Sequence, residues 1–472
     1  MSYRGDVMAV DFHSLRATLE RAGQGHLLTD FELLRAPEQA EYLRELATLD
    51  LARVRELQSV LRAPRASGHA RIAPPHLFPL ERRGSLEAQA FAARARGTDA
   101  LTRGAVAALT VAGGQASRLG YEAPKGVYPI GPLSGYSLFE IFARKLRSAG
   151  ARAGFRPLWY VMTSPVNDAA TRQFFAERDN FGLRPEQVFF FQQSMLPALS
   201  PEGLVIRASP TTLFRAPTGH GGVLEALSRS GALDHAREHG VAQFAYFQID
   251  NPLVPPFDPL FFGLHLEQGA RMSSKVVKKR DASEKVGVLC YLDERLACIE
   301  YSDLPAPLRE SVDEHGQLVY SAGNIAIHAI ERTFVEELTG GSLVLPWHLA
   351  RKRMPVYDPQ LGLVEREGVK FETFVFDALG FSARSLVLEV ERAREFSPVK
   401  NASGVDSPAT TRADICRLHA HFAARAGWEI PPHGPEGYPL VEIDPLLGEE
   451  PEHFEAHGPR VPRRTDRGVF YE

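Results

Sequence analysis

Short apolar runs alternating with helix-like stretches begin near Val106, and nothing else in the chain constrains its fold as much. The runs at 106–112, 158–163, 188–191 and 244–249 are separated by amphipathic stretches at 138–149, 168–178 and 223–237. Strands this apolar must be covered on both faces, which predicts a parallel sheet with helices packed on each side. Further runs at 275–277, 286–292 and 296–301 crowd together. They predict antiparallel strands added to the same sheet, so the fold class is α/β with a mixed central sheet flanked by helices.

The flanks read differently. Residues 12–61 place Leu15, Leu19, Leu27, Leu28, Tyr42, Leu46, Val54 and Leu57 at helical spacings. Pro64, Pro74, Pro75 and Pro79 mark residues 63–85 as a linker, and a helix-like run follows over 85–97. The tail beyond Asn401 is rich in Pro and Gly (PPHGPEGYPL, HGPRVPRR). It reads as a small C-terminal domain or as a partly ordered extension. A chain of 472 residues exceeds one ordinary core. The expected organisation is a helical N-terminal region over 1–100, a central domain over 101–400 and a small C-terminal region over 401–472.

Composition excludes several classes. With 54 Lys and Arg against 58 Asp and Glu, the net charge is −4, which opposes a bulk electrostatic grip on nucleic acid. Cys290, Cys298 and Cys416 show neither a CxxC pair nor a ligand spacing, so neither a disulfide framework nor a zinc site is expected. Sparse cysteines suit a reducing cytoplasm. No apolar run approaches the roughly 20 residues of a membrane helix, and the first residues lack a signal-peptide core.

The first apolar run ends in AALTVAGGQASRLG, and Pro124-Lys125-Gly126 follows. In an α/β sheet, ligands bind beyond the carboxyl ends of the strands. Gly113 and Gly114 let an anion approach backbone N–H groups closely. Arg118 offers a planar fork for phosphate oxygens, and Lys125 a flexible point charge. A plain strand-to-helix turn would account for the glycines but leaves this pairing of cations unexplained. Neither GxxxxGK[ST] nor GxGxxG occurs. Asp250 ends the run FAYFQI. A carboxylate there can hold Mg2+ with phosphate oxygens and water, or it can simply cap a turn with Asn251 and Pro252.

AGGQASRLGYEAPKG resembles the signature of sugar-nucleotide pyrophosphorylases, and more closely that of the eukaryotic-type UDP-N-acetylhexosamine pyrophosphorylase family. Further similar motifs follow in order: MTS at 162–164, FFQQSMLPAL at 190–199, GHGGVLEAL at 219–227 and QIDNPLV at 248–254. Then come VGVLCYLDERLACIEYSDL at 286–304, SAGNIAIH at 321–328, GVKFETFVFD at 368–377 and EFSPVKNASG at 395–404; AGQGHLL at 22–28 resembles the family's opening helix. The resemblance covers nearly the whole chain. It implies a Rossmann-like nucleotidyltransferase sheet, a helical N-terminal part and a small C-terminal part. It also implies Mg2+ and the substrates UTP and a sugar 1-phosphate, which yield a UDP-sugar and pyrophosphate.

By the same resemblance, Ala112, Gly113, Gly114, Gln115, Lys125, Gln193, Gly219 and Lys370 bind the nucleotide. Gln192 and Gln193 alternate faces, and the motif selects Gln193. Arg118, Lys125 and Lys400 are the implied catalytic cations and Asp250 the implied metal ligand. His220, Glu300, Tyr301, Asn324 and Lys400 are implied sugar contacts. His328 and His348 lack acidic partners in sequence and read as packing residues. The nucleophile suits such a site: a sugar phosphate has its second pKa near ~6, so it needs no general base at neutral pH. One segment departs from the family. Thr218-Gly219-His220-Gly221-Gly222 stands where N-acetylhexosamine enzymes carry Asp-Gly-Asn-Gly-Gly, and its GHG resembles UDP-glucose enzymes. The Glu300-Tyr301 pair and Ala322-Gly323-Asn324 favour N-acetylglucosamine 1-phosphate; glucose 1-phosphate or a broad range of sugars is the alternative.

Overall fold

The computed structural model describes residues 12–63, 71–341 and 345–472. The chain forms two compact units. One draws on Met1–His69, Ser194–Gly222 and Leu345–Phe374; the other on Ala70–Gln193, Val223–Val344 and Val375–Glu472.

The larger unit is built on a ten-stranded sheet. Its strands are β1 (Ile72–Ala73), β2 (Val106–Val111), β3 (Trp159–Thr163), β4 (Val188–Gln192), β5 (Gln243–Gln248), β6 (Met272–Lys278), β7 (Val288–Leu292), β8 (Arg295–Ile299), β9 (Ala322–Glu331) and β10 (Val387–Glu389). Four of them run parallel in the order β4-β3-β2-β5. Residues 106–109 and 159–163 are buried throughout, as strands covered on both faces must be. The order places β3 and β4 on one side of β2 and β5 on the other. A topological switch point therefore lies between β2 and β5. Beyond β5 the sheet turns antiparallel: β9 pairs with β5, β6 pairs with β9, and β7 meets β9 at a single residue pair. The mixed α/β sheet inferred from the apolar runs is the observed fold.

Three local features were not expected. The proline-rich stretch read as a linker supplies β1, which pairs antiparallel with β7. The stretch 223–237 is two helices, Gly222–Arg229 and Ala232–Glu238, broken where Gly231 adopts φ 78°. The segment SAGNIAIH forms most of β9, whose pairing with β6 slips between Asn324 and His328 around Ala326 at φ 56°. Such a bulge re-aims the side chains beside it.

Helices Leu138–Ala153 and Asp168–Ala176 cover the parallel strands, with Phe139, Phe142, Trp159, Phe175 and Phe247 in the shared core. The residues after 401 form a helix, Pro408–Arg425, capped by Ser407, and a three-stranded sheet. Their own core contains Phe422, Trp428, Phe454 and Tyr471.

The smaller unit packs helices Phe12–Arg21, Ala36–Ala47 and Leu51–Arg62 with Leu196, Leu199, Val205, Val369 and Phe371. Its long hairpin pairs His348–Asp358 with Gly362–Glu372. Gln24 of AGQGHLL is buried there, accepting the Val205 N–H at 2.8 Å and donating to the Gly203 carbonyl at 3.2 Å. Among the described residues no helix is long and apolar enough to cross a membrane.

Candidate active site

β2 and β5 end side by side, Val111 opposite Gln248, so the loop 112–115 and Asp250 leave adjacent strand ends at the switch point. This is where open α/β sheets bind ligands. The carbonyls of the loop are held from the end of β3. Asn167 Nδ2 donates to the Ala112 carbonyl at 2.9 Å and to that of Gly114 at 3.2 Å, and Ser164 Oγ donates to the Gly113 carbonyl at 2.9 Å. By contrast, the N–H groups of Gly113, Gly114 and Gln115 have no acceptor among the described residues. Anchored carbonyls beside unspent N–H donors are the backbone arrangement that an anion requires. Gln193 is buried and lies against the loop: a Cβ on Gly113 would meet its Nε2 at 2.4 Å. Gln192 is exposed and hydrogen-bonds Asp168 instead. Nothing lies within 4 Å of a Cβ on Gly114, so the approach to that backbone is open.

The cations flank this loop differently. Lys125 begins a single tight turn, Lys125–Val127. A Cβ on Gly126 would come 2.1 Å from the Phe139 ring, so only glycine lets the turn settle on helix Leu138–Ala153. Lys125 Nζ pairs with Asp250 Oδ2 at 2.9 Å, with side chains 18% and 12% exposed. Burial alone would raise the Asp250 carboxyl. Lys125 and Lys400 outweigh it and hold the group below its ordinary value, as a carboxylate. Lys400 is exposed, and its segment is fastened to the end of β5: Val399 N–H donates to the Asp250 carbonyl at 2.8 Å, and Ser397 N–H to Asn251 Oδ1 at 3.0 Å. Arg118 is exposed on the turn Ser117–Leu119 and pairs with no carboxylate among the described residues.

Further along the same sheet, Asn324 is buried beside the β9 bulge. Its Oδ1 accepts the Ala326 N–H at 3.1 Å, its Nδ2 points at Cys298 Sγ at 3.6 Å, and its N–H donates to the Gly287 carbonyl at 2.8 Å. A Cβ on Gly287 would sit 2.8 Å from Cys298 Sγ and 3.7 Å from Glu300 Oε1. Gly287, Cys298, Glu300 and Asn324 thus form one cluster. Burial, with the Glu300 charge, raises the Cys298 thiol well above its ordinary value, so it stays protonated. Tyr301 follows on the turn after β8, half-buried.

Three sequence-selected residues belong to the smaller unit. Gly219 adopts φ 78°, and a Cβ there would meet the Thr373 carbonyl oxygen at 2.6 Å. The chain's own backbone fills the space its bareness leaves. His220 stacks on Phe374 with ring centroids 5.1 Å apart, and His348 stacks on the same ring at 4.3 Å. Burial, with His348 nearby, lowers the His220 pKa to about 4, so its imidazole is neutral near pH 7. Lys370 lies in the hairpin opposite Ala350, its ammonium 5.2 Å from the Phe214 ring centroid.

Sequence reasoning missed Ser164, Asn167, Asn251 and Cys298. Ser164, Asn251 and Cys298 stand inside motifs already singled out and Asn167 just beyond one, but their partners are groups distant in sequence, and no spacing rule reports that. Among the described residues no three His, Cys, Asp or Glu side chains gather to hold a metal. Asp250 supplies one carboxylate, paired with Lys125, just beyond the end of β5 and beside the 113–115 N–H groups. That donor set fits Mg2+, which takes one or two carboxylates and completes its octahedron with phosphate oxygens and water.

A family model described as UTP–glucose-1-phosphate uridylyltransferase matches residues 66–421. The chain is 36% identical to a human protein named UDP-N-acetylhexosamine pyrophosphorylase-like protein 1, over 94% of each chain. It is also 36% identical to a probable UDP-N-acetylglucosamine pyrophosphorylase of Dictyostelium discoideum, over 74% of this chain and 76% of that one. Among solved structures, a uridine diphosphate N-acetylglucosamine pyrophosphorylase from Trypanosoma brucei, in complex with an inhibitor, superposes with TM-score 0.80 at 27% identity, covering 98% of each chain.

Proposed function

Since the chain belongs to the UTP–glucose-1-phosphate uridylyltransferase family, we propose that it is a uridylyltransferase that makes UDP-N-acetylglucosamine and pyrophosphate from UTP and N-acetylglucosamine 1-phosphate. The main support is the pairing of three unspent N–H groups, on Gly113, Gly114 and Gln115, with the Lys125–Asp250 ion pair at the switch point. Relatives named for N-acetylhexosamine or N-acetylglucosamine, matched over most of the chain, support this sugar.

A phosphate oxygen of the sugar 1-phosphate attacks the α-phosphorus of UTP. The bond from that phosphorus to the bridging oxygen breaks, and pyrophosphate departs with the electron pair. The nucleophile is already anionic, so the protein's task is to position two polyanions and stabilise charge on the leaving group. The 113–115 N–H groups cradle UTP phosphates, and Arg118 clamps the departing end. Gln193, lying on Gly113, presents an amide to the uracil edge. Lys125 contacts the reacting phosphates, and Lys400 meets the phosphate of the incoming sugar. Glu300, Tyr301 and Asn324 read the sugar, and His220 influences which sugar is preferred. Asp250 would hold Mg2+, which when bound neutralises phosphate charge. The three cysteines are free thiols, consistent with a reducing cytoplasm.

Pyrophosphate release with UTP, measured across a panel of sugar 1-phosphates, tests the proposal. It predicts the highest kcat/KM for N-acetylglucosamine 1-phosphate and weaker use of glucose 1-phosphate. A preference for glucose 1-phosphate would overturn the sugar assignment, and no release with any sugar would overturn the reaction.

A further inference from the structure

Lys275 stands in the interior of β6 with no exposed surface, and its ammonium holds two carboxylates, Asp258 Oδ2 and Glu395 Oε2, each at 2.7 Å. None of the chemistry described above uses it. Burying three charges costs several kcal/mol per ion before pairing returns any of it, and well-packed apolar side chains commonly serve stability as well or better. The triad's connections suggest another return.

Asp258 caps the helix Pro259–Glu267 by accepting the Leu260 N–H at 2.9 Å. Glu395 leads directly into the segment that ends at Lys400. Its carbonyl accepts Asn251 Nδ2 at 2.7 Å, Asn251 Oδ1 takes the Ser397 N–H at 3.0 Å, and Val399 N–H reaches the Asp250 carbonyl at 2.8 Å. A continuous run of bonds therefore joins the middle of β6 to both Asp250 and Lys400. Burial pulls the Lys275 ammonium down, but Asp258 and Glu395 more than reverse this, so it stays charged.

We propose that Lys275 is a positioning residue for the transfer: through Glu395 it fixes the 395–400 segment against Asp250-Asn251, and so sets where Lys400 stands relative to Asp250. This rests on the function proposed above. Displacing a phosphate-binding cation by about 1 Å is enough to cost turnover about 100-fold.

Lys275→Met alone would strand two buried carboxylates and strongly destabilise the chain, so it does not discriminate. The deciding variant is Lys275→Met/Asp258→Asn/Glu395→Gln, which removes all three charges, keeps their approximate shapes and retains a capping side chain at 258. Two readouts are taken on the full-length protein: steady-state kinetics with UTP and N-acetylglucosamine 1-phosphate, and amide hydrogen exchange over 395–400. A folded triple variant is expected to lose about 10-fold or more in kcat, to leave the KM for UTP nearly unchanged, and to exchange the Val399 N–H faster than wild type. Lys275→Arg, which keeps the charge, is expected to retain most of the turnover. Wild-type kcat and wild-type exchange in the triple variant would overturn the proposal. Should that variant not fold, Glu395→Gln decides: reduced kcat and faster Val399 exchange support positioning, and wild-type values overturn it. An inactive wild type would contradict the function instead, while the exchange comparison would still judge the positioning.

Discussion

The loop after β2 and the bulged strand β9 flank β2 and β5 in one sheet, yet they are built on opposite plans. After β2 the carbonyls of Ala112, Gly113 and Gly114 are tied back, while among the described residues the N–H groups of 113–115 and the Arg118 guanidinium have no acceptor. Around β9, Asn324 spends its oxygen on Ala326, turns its amide to Cys298 and donates its N–H to Gly287. A surface that grips a polyanion gains by keeping donors unspent, because each is worth most where charge develops. A surface that selects among neutral sugars gains by holding its polar groups still, since a wrong partner then leaves one unpaired. The first region should therefore govern turnover and the second choice.

Breaking the first region is expected to have the largest effect. Lys125→Ala should cut kcat by about 100- to 1,000-fold, roughly 2.7–4 kcal/mol, and should also lower the thermal melt, because it leaves the largely buried Asp250 carboxylate without its partner. Near-normal turnover in a folded variant would remove Lys125 from the reacting centre.

Asp250→Asn comes next. It keeps shape and loses charge, so turnover should fall sharply and the Mg2+ needed for half-maximal rate should rise. An unchanged Mg2+ dependence would make Asp250 a turn residue alone. The pH profile sharpens this. Burial opposes ionisation of Asp250, but Lys125 and Lys400 outweigh it, so the group takes up its proton at lower pH than an ordinary carboxylate. The acid limb of kcat/KM should then follow the sugar phosphate, near ~6. A limb lying instead in the ordinary carboxylate range would place the controlling proton on a side chain.

Breaking the second region should be milder and selective. Asn324→Ala is expected to lower kcat/KM for N-acetylglucosamine 1-phosphate by about 10-fold while sparing the KM for UTP. Equal losses for both substrates would merge the two regions into one.

His220→Asn should be the smallest change, a shift of a few-fold in the ratio of specificity constants for the two sugars. Because the His220 pKa is lowered to about 4, the imidazole is neutral above that value and the shift should be constant between about pH 6 and 8. An unchanged ratio would leave His220 as the stacking partner of Phe374 and nothing more.

The parallel part of the sheet was legible because strands covered on both faces must be largely apolar, and 106–111 and 159–163 are, with Thr110 and Thr163 the only polar residues in them. β9 was not, since its bulge interrupts any strict alternation at Ala326. β1 was hidden among prolines that disfavour most strands and are tolerated next to a two-residue edge pairing. The motifs marked Lys125, Asp250 and Lys400 as charges worth explaining. They could not show that Asp250 and Lys125 share an ion pair, that Asn251 ties down the Lys400 segment, or that Thr373 fills the space beside Gly219. Those facts depend on backbones brought together from more than a hundred residues apart, which local pattern does not encode.

One competition reads out the transfer of uridylyl to an acetamido sugar. UTP is supplied with equal concentrations of N-acetylglucosamine 1-phosphate and glucose 1-phosphate, and the two UDP-sugars are quantified by mass at low conversion, where their ratio equals the ratio of kcat/KM values. UDP-N-acetylglucosamine should form in clear excess over UDP-glucose. UDP-glucose in excess, or neither product, would contradict the proposed transfer.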